Sequence, residues 1–173
     1  DGRNRVATIT ATDVAASNGV IHVIDKVILP ADKDIVQTAI ASAPEFSILV
    51  EAVVAAGLGD ALSAAGPFTV FAPTNAAFAA ALTELGVTKE ALFANTALLT
   101  AVLTYHVVPG RVFKAQVPLN TPITTLQGAT FTVGNDLAIT DQAGRKAGIV
   151  ATDVMTSNGV IHVIDKVILP TAG

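Results

Sequence analysis

The residues most suited to chemistry in this sequence are its three histidines, His22, His106 and His162. A histidine acts as a general base when a carboxylate orients its ring and a nucleophile lies within hydrogen-bonding reach. Asp165 follows His162 by three positions on a predicted strand, so the two side chains point to opposite faces. Ser157 lies in the preceding turn, but the sequence contains no G-x-S-x-G nucleophile elbow. We therefore predict no catalytic residue.

A metal or cofactor site is not predicted either. Metal sites need several converging ligands, and the sequence has no cysteine and no histidine pair with H-x-H or H-x₃-H spacing. We expect His106 and His162 to be half-buried and bonded to backbone or to a neighbouring carboxylate. The sequence thus predicts a protein that is not an enzyme and carries no cofactor.

The composition excludes several classes of partner. A formal net charge of −4 argues against nucleic acid, which requires a basic face, and against an anionic membrane surface. Half of the residues (51%) are hydrophobic and 14% are charged, which is typical of a folded domain. No apolar run reaches the roughly 18 residues of a membrane span. The chain opens with DGRNR in place of a signal peptide, so we expect any export signal to have been removed.

A long duplication organises the sequence. Ser17–Pro30 and Ser157–Pro170 both read SNGVIHVIDKVILP, and 21 of 26 positions match when the copies are extended back to Arg5 and Arg145. The first differences occur at every second position, which is typical of a strand with one face fixed by packing. An offset of 140 residues is the size of a whole domain. We therefore predict the last hairpin of one domain followed by a complete copy of that domain.

Hydrophobic periodicity predicts an α+β fold, with helices first and a run of antiparallel strands last. A hairpin of the strands Val6–Val14 and Val20–Leu29 precedes the domain. Helices are predicted over Ile35–Ser42, Glu45–Ala56, Asp60–Ala65, Ala76–Leu85, Lys89–Phe93 and residues 95–104, with a short buried strand at Phe68–Ala72. From Tyr105 onward the chain is predicted to be extended, with strands at Ile123–Leu126, Ala129–Val133, Leu137–Thr140, Ala147–Met155 and Val160–Leu169.

Three stretches together resemble a known family. TVFAPTNAAF (Thr69–Phe78), LTYHVVPG (Leu103–Gly110) and the second copy of SNGVIHVIDKVILP look like the two signature boxes and the central Tyr-His motif of the fasciclin domain. The resemblance implies a β-wedge of antiparallel strands with several packed helices. It also implies an extracellular or cell-surface adhesion module that often occurs in tandem. The matching motif residues, with structural or adhesive roles, are Thr69, Phe71, Pro73, Thr74, Asn75, Tyr105, His106, His162 and Asp165.

Most of these motif residues are predicted to form the fold. Phe71 supplies core, Pro73 stops a strand and Asn75 caps the next helix, while a ligand role for Thr74 or Asn75 is the alternative. Tyr105 and His106 would face opposite ways on a strand, one buried and the other near the surface. We expect Tyr105 to be the buried one, with its hydroxyl bonded. In animal fasciclin domains this motif is linked to integrin-mediated adhesion, which is the alternative role here.

The resemblance divides the chain into residues 1–30, the C-terminal hairpin of a preceding fasciclin repeat, and residues 31–173, a complete fasciclin domain. The first segment is apolar and β-prone, so it is an aggregation hazard unless it is covered. It is the cut end of a tandem array, or it competes with residues 145–170 for one place, or it docks on another copy. Docking would use Val20, Ile21, His22, Val23, Ile24, Val27 and Ile28.

The predicted function is therefore a secreted or cell-surface structural module that acts by protein–protein contact. Its expected partners are other copies of itself or matrix proteins. Self-association would occur by strand donation, and a head-to-tail contact that does not close into a ring would form fibres. The alternative is a monomeric module that binds a polysaccharide or small ligand between the helices and the wedge. The absence of tryptophan and the presence of a single tyrosine argue against sugar stacking.

Overall fold

The computed structural model describes residues 1–170, which form a two-stranded sheet, six α-helices and a seven-stranded sheet. The small sheet consists of β1 (Ile9–Ala16) and β2 (Gly19–Ile24). The helices are α1 (Ile35–Ala41), α2 (Ser47–Ala55), α3 (Gly59–Ser63), α4 (Asn75–Leu85), α5 (Lys89–Ala94) and α6 (Thr96–Tyr105). The strands of the large sheet are β3 (Phe68–Pro73), β4 (Val107–Pro109), β5 (Pro122–Thr124), β6 (Thr130–Val133), β7 (Ala138–Thr140), β8 (Lys146–Thr156) and β9 (Gly159–Ile164). The predicted α+β class is confirmed.

The large sheet has the order β4-β3-β9-β8-β7-β6-β5. Its neighbouring strands are antiparallel except for β3 and β9, which run parallel from the pair Phe68 and Gly159 to the pair Pro73 and Ile164. The sheet is thus mixed, whereas the resemblance implied antiparallel strands throughout. The parallel pairing joins the first strand of the domain to its last and places β9 in the interior of the sheet.

Strand β9 lies between two hydrophobic cores. On one face Ile161 packs with helical residues such as Phe78 and Leu99. On the other face Ile164 packs with Phe71 and with residues from the β6–β7 part of the sheet. Successive side chains of a strand point to opposite faces, so one short apolar strand contributes to both cores. The near-continuous apolar sequence VIHVI suits a strand that is covered on both sides.

Helix α4 begins one residue earlier than predicted, because its N-cap is Thr74 and not Asn75. The Thr74 hydroxyl accepts a hydrogen bond from the backbone N–H of Ala77 at 3.2 Å. The Asn75 side chain instead ties α4 to the start of α2: its amide donates to the Pro44 carbonyl at 2.6 Å, and its oxygen accepts from the N–H of Ile48 at 3.0 Å. The predicted capping role of Asn75 was therefore wrong.

Candidate functional site

The N-terminal hairpin (residues 1–30) exposes its apolar side chains, and this distinguishes it from the rest of the molecule. Val20, Val27 and Ile28 are 59%, 75% and 61% exposed. Their counterparts in the closing hairpin (residues 141–170) are buried, with exposures of 0%, 7% and 1% for Val160, Val167 and Ile168. The same sequence therefore occurs once in the centre of the fold and once on the surface.

The two hairpins nevertheless have the same internal geometry. Strands β1 and β2 pair in the register of β8 and β9, position by position at an offset of 140, and both ladders shift register at the same two points. Asp13 and Asp153 have positive φ angles of 58° and 61° at this irregularity. Positive φ is uncommon for a non-glycine residue, although aspartate adopts it more readily than most.

A histidine supplies a local bond in each copy. The N–H of Asp153 donates to Nδ1 of His162 at 3.2 Å, and the N–H of Asp13 donates to Nδ1 of His22 at 3.2 Å. A carboxylate fixes the far end of each hairpin. Asp165 accepts from the N–H of Gly148 at 2.7 Å, and Asp25 accepts from the N–H of Thr8 at 2.8 Å. His162 and Asp165 therefore have separate partners, as predicted, and hold the hairpin together.

The structural repeat extends four residues further back than the sequence comparison indicated. The buried carboxylate of Asp141 accepts from Nη2 of Arg145 at 2.7 Å and from the N–H of Leu169 at 3.1 Å. Asp1 makes the same bonds to Arg5 at 2.7 Å and to the N–H of Leu29 at 3.2 Å. Sequence reasoning missed both aspartates because three differing residues separate each from its arginine. The recurring Asp-x-x-x-Arg spacing was the available signal.

The closing hairpin bonds to the body of the domain (residues 31–140) through a few polar contacts. Nε2 of His162 donates to the Val112 carbonyl at 2.8 Å. The Asn158 amide donates to the carbonyls of Leu62 and Ala64 at 2.7 and 2.9 Å, and its oxygen accepts from the N–H of Ile35 at 3.0 Å. Nδ1 of His162 thus acts as an acceptor within the hairpin, while Nε2 acts as a donor toward the body.

Gly159 marks a close approach of the closing hairpin to the body. A β-carbon at this position would overlap the carbonyl oxygen of Phe68 and would lie 2.9 Å from Cδ1 of Ile35. Glycine is therefore required where β9 meets β3. At Gly19 a β-carbon would meet no atom within 4 Å. The N-terminal hairpin retains a glycine that its own surroundings do not require.

The other motif residues hold the body together. The buried Thr69 hydroxyl donates to the Gly110 carbonyl at 2.7 Å and accepts from the N–H of Val112 at 2.9 Å. The Phe71 ring packs edge-on against Phe131 with centroids 5.2 Å apart, and lies 5.3 Å from the His162 ring. Pro73 ends β3, as predicted. These contacts all lie within the domain.

Tyr105 and His106 end α6 and do not lie on a strand, so the predicted alternation of faces was wrong. Both are buried, Tyr105 as the last helical residue and His106 as the C-cap. The Tyr105 hydroxyl donates to the Thr130 carbonyl at 2.8 Å, as expected, and burial raises its pKa to about 12. An adhesive role that requires this pair at the surface is not compatible with their burial.

His106 is a buried, neutral histidine that connects α6 to the end of the closing hairpin. Its Nδ1 donates to the Val102 carbonyl at 2.7 Å and its Nε2 accepts from the N–H of Ile168 at 3.1 Å. Burial lowers the pKa of the ring to about 4, because the charged form would lose its hydration. His106 and His162 are fully buried, in contrast to the half-burial we predicted.

Within residues 1–170 no three histidine, aspartate or glutamate side chains lie where they could share a metal ion. None of the helices there combines the length and the apolar character that crossing a bilayer requires.

An apolar cavity of about 250 Å³ lies among α4, α5, α6 and the end of the closing hairpin. Its lining is almost entirely aliphatic, and includes Leu82, Leu92, Leu99 and Val167 together with Phe78. A site of this kind suits an apolar molecule, because no side chain in its lining offers the hydroxyl or carboxylate contacts that a sugar requires.

Comparison with known proteins gives a match to one family and several similar sequences. A sequence profile described as the Fasciclin domain matches residues 2–30 and 44–170. Protein sll1483 of Synechocystis is 51% identical over 127 residues, which are 72% of this chain and 67% of that protein. The transforming growth factor-beta-induced protein ig-h3 of Oryctolagus cuniculus is 34% identical over 164 residues, which are 95% of this chain and 23% of that protein.

A similar fold occurs in a solved structure, that of a FAS1 domain pair from the insect cell adhesion molecule Fasciclin I. The TM-score is 0.70 at 21% identity, and the match covers 96% of this chain and 60% of the insect chain. At this identity the likeness concerns the fold alone.

Proposed function

The chain belongs to the fasciclin domain family, and we propose that it is a non-enzymatic adhesion or structural module that acts by protein–protein contact at the cell surface or in the extracellular matrix. Membership of a family that includes a domain pair from a cell adhesion molecule supports this role. The buried motif residues, each bonded within the fold, support the absence of catalysis.

The contact surface in this proposal is the N-terminal hairpin, through which copies of the chain associate. The observation that carries it is the exposure of Val20, Val27, Ile28 and neighbouring apolar side chains. Fully burying one exposed valine or isoleucine is favourable by about 1.5–3 kcal/mol. The translational and rotational freedom lost on association costs about 4–15 kcal/mol, so a stable contact requires several such side chains. Strand β2 also has an unpaired edge, which in β9 is the edge that pairs with β3.

The geometry of this contact determines the assembly. Edge pairing of two β2 strands about a twofold axis closes a dimer, because each hairpin offers the same surface to the other. If the hairpin of one copy instead contacts a surface of the next copy outside its hairpin, the hairpin of the terminal copy stays free. Further copies can then add to that end, which produces fibres.

Alkylation of introduced cysteines tests where copies touch, because the native chain contains no cysteine. Ile21→Cys places a thiol on the hairpin, and Val54→Cys places one on the exposed side of α2. We expect alkylation of Ile21→Cys to slow as protein concentration rises, and alkylation of Val54→Cys to remain constant. An equal, concentration-independent rate for both variants would contradict the proposal.

A second candidate function rests on the cavity near Leu99: binding of a small apolar ligand by a monomer. Leu99→Phe would fill part of the cavity without changing the hairpin. Binding of an environment-sensitive apolar dye that the wild type retains and Leu99→Phe loses would support this candidate. Absence of dye binding to the wild type would argue against it.

A further inference from the structure

We propose that the N-terminal hairpin is a transferable closing hairpin. It would occupy, in another molecule, the place beside β3 of a fasciclin body whose own closing hairpin is missing or displaced. We call this place the slot, and in this chain β8 and β9 fill it. The inference goes beyond the proposed function and rests on it, since it adds to the association of intact copies a second kind of partner, a fasciclin body whose slot is empty.

The N-terminal hairpin carries the groups with which the closing hairpin bonds to the body. These bonds include side chains of Asp153, Asn158 and His162, and backbone groups of Ser157 and Ile168. Each of these residues has an identical counterpart, namely Asp13, Asn18, His22, Ser17 and Ile28. The slot would therefore meet the same donors, acceptors and apolar surfaces in either hairpin.

Two residues of the N-terminal hairpin fit the slot better than they fit their present surroundings. Gly19 has open space around it, whereas the slot requires a glycine there because of the Phe68 carbonyl. The Asn18 side chain makes no hydrogen bond to any part of residues 1–170, whereas Asn158 bonds to Leu62, Ala64 and Ile35.

The positions that differ between the hairpins do not oppose this exchange. Val6 and Thr10 replace Lys146 and Val150, both of which are exposed in the closing hairpin. Thr8 and Ala15 replace the half-buried Gly148 and Met155, and the atoms nearest to a β-carbon at Gly148 belong to Asp165 of the same hairpin. The buried difference is Ala16 in place of Thr156. The Thr156 hydroxyl lies 3.5 Å from Asn158 of its own hairpin and bonds to nothing in the body. A smaller residue at this position leaves every bond between the hairpin and the body in place.

Intact copies gain little from exchanging hairpins. Each exchange buries one hairpin and releases a nearly identical one, so the apolar area removed from water is unchanged. The partner that the N-terminal hairpin fits is therefore a second copy of this chain whose own closing hairpin has left its slot.

Four full-length proteins test this proposal: wild type, Gly19→Ala, Gly159→Ala and the double variant. Gly159→Ala excludes the closing hairpin from its slot, so we expect it to unfold in dilute solution. As concentration rises it should regain a cooperative unfolding transition and form assemblies, because N-terminal hairpins of other copies fill the slots. The double variant should lose this recovery. Gly19→Ala alone should unfold like the wild type.

Thr10→Val combined with Gly159→Ala is the matched control, because Val150 occupies the equivalent position of the closing hairpin. It should recover with concentration as Gly159→Ala does. The proposal is overturned if Gly159→Ala and the double variant behave alike at every concentration, or if Gly159→Ala recovers as a monomer. Failure of the proposed function would be seen separately, as a wild-type protein that does not associate. Association through exposed side chains does not depend on Gly19, so the Gly19 variants do not test it.

Discussion

Nε2 of His162 donates a hydrogen bond to the carbonyl oxygen of Val112 at 2.8 Å, and this bond joins the last strand of the domain to the segment after β4. His22 has the same sequence neighbours and makes the same Nδ1 bond within its hairpin, but it is exposed. Comparison of His22 with His162 therefore distinguishes the contribution of a histidine to its own hairpin from its contribution to the whole domain.

This difference predicts the effect of the same substitution at the two sites. We expect His162→Ala to lower the free energy of unfolding by about 2–4 kcal/mol, since it removes a buried ring and two hydrogen bonds. His22→Ala should change it by less than about 0.5 kcal/mol, as exposed substitutions usually do. Urea unfolding in dilute solution measures both. Equal losses would show that the N-terminal hairpin is part of the cooperative fold.

The buried carboxylate of Asp141 predicts a second difference between the two hairpins. Asp141→Asn removes the charge that holds Arg145 and replaces an acceptor of backbone N–H groups with an amide. Breaking a buried ion pair from one side costs about 3–5 kcal/mol, and the partial exposure of Arg145 reduces this toward the lower end. Asp1→Asn should leave the thermal midpoint unchanged. A lower midpoint for Asp1→Asn would show that the N-terminal hairpin contributes to the stability of the domain.

His106 predicts how stability depends on pH. Its pKa is about 4 in the folded chain, whereas the ordinary pKa of a histidine is 6.5, so between these values the unfolded chain binds the additional proton. Stability attributable to His106 is therefore complete above about pH 6.5 and decreases as the pH falls to 4. The expected loss is about 3 kcal/mol.

Denaturant unfolding from pH 7 to pH 4 measures this dependence, with His106→Gln as the comparison. The variant should be less stable at pH 7 but should lose less stability on acidification. If both proteins show the same slope between pH 6.5 and 4, the titration belongs to other groups.

Much of the fold follows from local sequence. The duplicated SNGVIHVIDKVILP identifies two strands and a turn, and the structure confirms two hairpins with one register. The helices also lie close to their predicted positions, because apolar residues such as Leu49 and Val53 recur at helical spacing.

The features that could not be predicted depend on contacts between residues that are far apart in the sequence. No local pattern indicates that Phe68 pairs in parallel with Gly159, because that pairing joins the two ends of the domain. The sequence favours a strand at Tyr105 and His106 because the apolar Val107 and Val108 follow them. The helix extends through Tyr105 because its apolar face, with Leu99 and Val102, packs in the core.

The candidate site shows the same limit. Its residues can be predicted from the duplication, but their exposure cannot, since identical sequences carry no information on which copy occupies the slot. Gly19 and Gly159 have the same neighbours in the sequence and differ in the atoms that surround them in the fold.

The central claim is that the N-terminal hairpin is the contact surface, and light scattering coupled to size exclusion over a concentration series tests it most directly. Three proteins are compared: the wild type, Val20→Lys/Val27→Lys on the hairpin, and Val54→Lys/Val150→Lys at comparably exposed positions elsewhere. The wild type and the second variant should rise in mass with concentration, while the hairpin variant should remain at 17.5 kDa. A constant 17.5 kDa for all three, or equal association of the hairpin variant, would contradict the claim.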